Sequence, residues 1–114
     1  MTRRPHRSAA RCWQRAAAPF RRALLATPRE GIIGGWTAVR DSDLRRTIAL
    51  IPHPTLVIAG QHDTVTSARH GEEIAAAIPG AQLRMLDTVH LANVEAPDAF
   101  IELVLDFLAV HETA

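Results

Sequence analysis

The chain has no lysine, a single cysteine and no apolar run near the roughly 18–20 residues that a membrane-spanning helix needs. Cys12 has no second cysteine to pair with and no Cys cluster around it, which excludes a disulfide-stapled secreted fold and a cysteine-built zinc site. Serine is also scarce: Ser8, Ser42 and Ser67 are the whole supply, and none sits between the glycines of a Gly-x-Ser-x-Gly turn. What remains is ordinary. The 114 residues are 47% hydrophobic and 22% charged, the composition of one globular domain rather than a disordered tail.

With no lysine, all 13 basic residues are arginine. Seven of them, Arg3, Arg4, Arg7, Arg11, Arg15, Arg21 and Arg22, fall in the first 22 residues, which contain no acid. Residues 23–114 hold all 12 acids against 6 arginines, a formal charge of −6. The overall charge of +1 therefore averages two unlike pieces. Residues 1–22 read as a basic, poorly ordered segment. Phosphate binding to a nucleic acid and an Arg-rich targeting peptide are the competing readings. Clustered arginine alone selects none of them, and a nucleic-acid partner has no further support.

From residue 23 onward the pattern sharpens. Arg21–Thr27 predicts a short helix halted by Pro28, and Glu30–Val39 another, weakened by Gly31, Gly34 and Gly35. Asp41 or Ser42 is placed to cap a helix over Asp43–Leu50. After Pro52 and Pro54, the run Thr55–Ala59 (TLVIA) is continuous, β-branched and apolar, as in a strand buried on both faces of a parallel sheet. Thr66 or Ser67 can cap a helix over Ala68–Ile78, which Pro79-Gly80 ends. Ala81–Leu86 alternates like a strand near a sheet edge. A loop, Asp87–Ala96, leads to a helix with Pro97 in its first turn and Phe100, Leu103, Val104, Phe107 and Leu108 on its apolar side.

Strand–helix–strand at this spacing is a parallel crossover, so the fold class is α/β. Two parallel strands make a poor sheet by themselves. Residues 23–114 therefore read as one end of a larger α/β domain. In such sheets functional groups gather beyond the carboxyl ends of the strands. Asp63 lies four residues past Ala59, and His90 four past Leu86. Neighbouring strands are about 4.8 Å apart, so the two side chains can meet. An aspartate that accepts a hydrogen bond from one imidazole nitrogen leaves the other as a general base.

Each candidate has a plainer reading. Asp63 can be a turn residue, Asp87 is a rival acid three residues before His90, and His62 and His70 read as solvated. His62, Asp63 and His90 lack a metal-ligand spacing, and Gly31–Trp36 (GIIGGW) follows no strand and lacks the dinucleotide fingerprint. Glu95 suits the start of the last helix, where a carboxylate favours the dipole. Trp36 and Arg40 lie one helical turn apart; ordinary packing and a surface pair of Arg40 with Asp41 or Asp43 compete with a binding role.

PTLVIAGQHDTVT (Pro54–Thr66) resembles the acid-bearing strand and turn of the α/β-hydrolase fold, and DTVHLANVEAPDAFIELVLDFL (Asp87–Leu108) its histidine loop and final helix. Within that superfamily the likeness is to 3-oxoadipate enol-lactonases. It runs through Ala26–Gly31, Ala38–Arg45 and the loop His90–Glu95, and covers roughly Leu24–Leu108. Ile32 stands where the resemblance suggests Tyr, and Gly35-Trp36 where small sulfur-bearing residues are usual.

The resemblance implies the C-terminal part of a cytoplasmic lactone or ester hydrolase of aromatic-compound catabolism, needing no metal or organic cofactor. Asp63 would be the acid and His90 the base of a triad. Trp36 and Arg40 would face a small enol-lactone or ester from the cap. The serine nucleophile is absent, so this chain would be inactive alone; the alternative is a non-catalytic fragment that completes the sheet of a separate N-terminal hydrolase half.

Overall fold

The computed structural model describes residues 18–112, in two compact units that divide between Ser42 and Asp43. Most of the basic segment, including Arg3 to Arg15, lies outside the described residues; Arg21 and Arg22 belong to the first helix. The first unit is helical. Helix α1 carries residues 18–26 and is closed by the Thr27 hydroxyl, which donates to the Ala23 carbonyl at 2.8 Å. Pro28 separates it from α2, Arg29–Asp41, which buries no residue.

The second unit runs through a short 3-10 turn (Ile48–Leu50), β1 (Leu56–Gly60), α3 (Ala68–Ala77), β2 (Gln82–Leu86), α4 (Ala92–Glu95) and α5 (Pro97–His111). The two strands pair in parallel, from Leu56 opposite Gln82 to Gly60 opposite Leu86. Helix α3 crosses between them and packs on both strands, while α5 packs on β2. Gly71 makes the first crossing close. A β-carbon there would lie 2.7 Å from Cβ of Ala59, so the helix backbone rests directly on the strand. Among the described residues Ile78, where α3 ends, is the one buried large hydrophobic side chain, and none is completely sealed from solvent.

Three expectations need correction. The helix expected over Asp43–Leu50 shrinks to the 3-10 turn because its caps are spent elsewhere. The Asp41 carboxylate is held by Arg40, the Ser42 hydroxyl turns back to the Val39 carbonyl at 3.1 Å, and Asp43 binds the Arg45 guanidinium and backbone N–H. Such local bonds compete with helix formation. Arg45 holds the Asp43 carboxyl down to about 2.

Strand β1 is only half-buried up to Ala59 rather than covered on both faces, since its outer edge has no neighbour among the described residues. The loop Asp87–Ala96 is not all loop, for it contains α4.

Helix α5 keeps apolar residues on its open side as well as its packed one. Phe100, Leu103, Val104 and Phe107 are half-buried, whereas Ile101, Leu105 and Leu108 are exposed. A parallel sheet is normally covered on both faces, and this unit leaves apolar surface that its own described elements do not cover. None of the described helices is long and apolar enough to cross a membrane.

Candidate active site

The site forms where the two strands end. Pairing continues past β1 and β2: the Gln61 N–H donates to the Leu86 carbonyl at 2.9 Å and the His62 N–H to the Thr88 carbonyl at 3.0 Å. This brings the turn after β1 against the loop after β2. Gly60 lies at the closest approach. A β-carbon at Gly60 would strike the Val89 carbonyl oxygen and come within 2.7 Å of the Thr88 carbonyl oxygen. Glycine is required here for space, because backbone atoms on the facing loop cannot swing away as a side chain would.

Asp63 and His90 meet across this junction. His90 Nδ1 is 2.9 Å from Asp63 Oδ2; the Asp63 side chain is 6% exposed and that of His90 46%. The buried carboxylate is caged by donors. The Val65 and Thr66 N–H groups give hydrogen bonds to Oδ1 at 2.7 and 3.0 Å, and the Thr66 hydroxyl donates to Oδ2 at 2.7 Å. Burial pushes the Asp63 carboxyl up, but the bonds from His90, Thr66 and Val65 outweigh it and hold the group well below the ordinary carboxylate range. Ionised Asp63 can only accept, so Nδ1 of His90 carries the proton. The Nε2 lone pair is left without a partner among the described residues.

The other candidates separate from this pair. Asp87 is not its acid: Oδ1 of Asp87 is 2.7 Å from Nε2 of His62, and both side chains are largely exposed. His62 is thus paired rather than merely solvated. His70 faces the Ser67 hydroxyl at 3.3 Å, so Ser67 makes no side-chain cap for α3. Among the described residues, no three His, Cys, Asp or Glu side chains converge as a metal site would require. In the first unit, Trp36 is 69% exposed and Arg40 bonds both oxygens of Asp41, at 2.6 and 2.9 Å.

Two contributors were missed by sequence reasoning. Thr66 was expected as a cap and instead serves the carboxylate. Glu95 was expected at the start of the last helix, but it ends α4 and reaches back. Its Oε2 accepts from the Val89 N–H at 2.8 Å and its Oε1 from the Leu91 N–H at 3.0 Å. One carboxylate thereby holds the backbone N–H groups of the residues on both sides of His90. The spacing His90 to Glu95 carried that signal, but only the turn of α4 gives it meaning.

A crossover with an acid on the turn after one parallel strand and a histidine on the loop after the next is the C-terminal edge of an α/β-hydrolase, and the chain belongs to that superfamily. It corresponds to the acid- and histidine-bearing part of the fold and, within it, is similar to 3-oxoadipate enol-lactonases.

No family profile matches the chain. The 3-oxoadipate enol-lactonase 1 of Acinetobacter baylyi is 36% identical over 86 residues, which cover 75% of this chain and 32% of that protein. A hydrolase from Pseudomonas aeruginosa is 58% identical with a TM-score of 0.76, over 80% of this chain and 34% of that one. The enol-lactonase from Burkholderia xenovorans is 36% identical with a TM-score of 0.79, over 85% and 39%. The chain spans 25% to 32% of the length of the curated relatives it matches.

Proposed function

We propose that this chain supplies the acid and the base of a serine-type lactone or ester hydrolase of the enol-lactonase kind. The observation that carries the reading is the 2.9 Å bond between His90 Nδ1 and the caged, buried Asp63 carboxylate. In this reading His90 Nε2 takes the proton of a serine hydroxyl as the oxygen attacks the lactone carbonyl. Asp63 stabilises the imidazolium so formed. His90 returns the proton to the departing enol oxygen, which opens the ring and leaves an acyl-enzyme. A water activated by the same nitrogen then releases the acid, 3-oxoadipate in the enol-lactonase case.

The serine is supplied by the N-terminal half of the fold, which bears the Gly-x-Ser-x-Gly turn and adds its strands to the open edge of β1. Neither described serine suits the role. Ser42 turns its hydroxyl to the Val39 carbonyl, and Ser67 turns its own toward His70. The substrate is a small enol-lactone or ester in the cytoplasm.

The chain alone is expected to show little turnover on an enol-lactone or a p-nitrophenyl ester, since loss of a triad serine costs on the order of 10⁶ in kcat. Co-expression with the N-terminal part of a related enol-lactonase should restore hydrolysis that His90→Ala removes. A complex that assembles and stays inactive overturns the reading. So does strong hydrolysis by the isolated chain, which would mean a different nucleophile.

A further inference from the structure

Thr66 stands two residues before α3, next to the capping position that Ser67 occupies. It does something else. Its Oγ1 donates to Asp63 Oδ2 at 2.7 Å and lies 3.4 Å from His90 Nδ1, so the hydroxyl, the carboxylate and the imidazole form a triangle.

A hydroxyl has one proton to give. Ionised Asp63 has none, so the Thr66 proton must point at Oδ2. The Thr66 oxygen then presents a lone pair toward Nδ1. Both protein atoms that face Nδ1 are therefore acceptors. An imidazole with its proton on Nδ1 meets two attractive partners there, whereas a bare Nδ1 faces the Asp63 charge and gains the Thr66 proton only by taking it from Oδ2. The neighbouring charged groups are engaged elsewhere, His62 with Asp87 and Glu95 with the backbone of Val89 and Leu91.

We infer that Thr66 is a positioning residue whose hydroxyl locks His90 in the tautomer protonated on Nδ1, holding the Nε2 lone pair ready to accept a proton. The inference rests on His90 being the base, and it adds a device that selects the base's protonation site. Through the same bond Thr66 fixes the rotation of the Asp63 carboxylate, whose other oxygen is already held by the Val65 and Thr66 N–H groups.

The test uses the full chain labelled with ¹⁵N and needs neither a serine nor a substrate. Long-range ¹H–¹⁵N spectra at neutral pH should show His90 as a single tautomer protonated on Nδ1. Thr66→Val keeps the shape and the backbone N–H but removes the hydroxyl. It should bring both tautomers into measurable proportion and move the Asp63 titration upward, toward the ordinary carboxylate range. Thr66→Ser should restore the native pattern.

A Val variant with the native tautomer and an unmoved Asp63 titration overturns the inference, as does a Ser variant that fails to restore them. Should the Val variant lose its amide dispersion, Thr66→Cys replaces it: a thiol is a poor donor, and the single tautomer should again be lost while Ser retains it. A native pattern in the Cys variant then overturns the inference. Failure of hydrolysis on complementation would strike the proposed function and leave these spectra unchanged, so the two failures are distinct.

Discussion

Two histidine–carboxylate pairs join the same two loops, and they differ in everything except chemistry. His62 and Asp87 approach to 2.7 Å, His90 and Asp63 to 2.9 Å. The shorter contact is the less consequential. His62 and Asp87 are 62% and 87% exposed, so water screens their attraction and competes for every hydrogen bond. Asp63 is buried and receives donors on both oxygens, so its charge is fixed in place and aimed at one ring nitrogen. Distance alone does not make an acid–base device. A desolvated carboxylate with every lone pair committed does, because only then is the proton on the histidine confined to one site.

The comparison can be broken most completely at Gly60, because both pairs depend on the same close approach of the loops. Gly60→Val should separate them by driving a side chain into the Thr88 and Val89 carbonyls, and overpacking of this kind typically costs about 1–3 kcal/mol or more. Loss of the His90 Nδ1–H resonance together with a fall in the unfolding midpoint is the expected result.

Asp63→Asn should sharpen the contrast. A complemented enzyme carrying it should lose about 10⁴ in kcat, by analogy with neutralising a triad acid.

Its pH signature follows from the sign of the shift. The native carboxyl lies below its unfolded value of about 3.9, so its contribution to stability is complete above that pH and is lost as pH falls toward the native value. Thermal unfolding followed between pH 7 and pH 2 should show this acid loss in the native chain and a flatter profile in Asp63→Asn.

Glu95→Ala is expected to have a smaller effect, about 1–2 kcal/mol for freeing two backbone N–H groups, with amide exchange accelerated at Val89 and Leu91. The smallest effect belongs to Asp87→Asn. Breaking an exposed pair should change stability by less than about 1 kcal/mol and leave the His90 tautomer untouched. If Asp87→Asn disturbed His90 as strongly as Asp63→Asn, the distinction between the two pairs would fail.

Both strands, the crossover helix and the final helix were legible because their signals are local: an apolar run, an alternating one, Pro79-Gly80 and Pro97. The pairing of Asp63 with His90 was legible for a different reason. Parallel strands put the residues after their carboxyl ends side by side, so strand order and a short count are enough.

The helix over Asp43–Leu50 failed where the two side chains that looked like caps, Asp41 and Ser42, found nearer partners. Thr66 and Glu95 were missed for the complementary reason. Their local surroundings suggested helix starts, whereas Thr66 serves a carboxylate three residues back and Glu95 backbone groups beyond the turn of α4.

By itself the sequence determined that this chain is α/β, that it carries an acid and a histidine at corresponding strand ends, and that it contains no nucleophile elbow. These follow from residue types, order and spacing. The tertiary structure alone decided that the rival Asp87 serves His62, and which hydroxyl and carboxylate hold His90 in place. The reason is physical: burial and hydrogen-bond direction belong to the arrangement of segments in space, and identical side chains become a screened surface pair or a caged one according to what surrounds them.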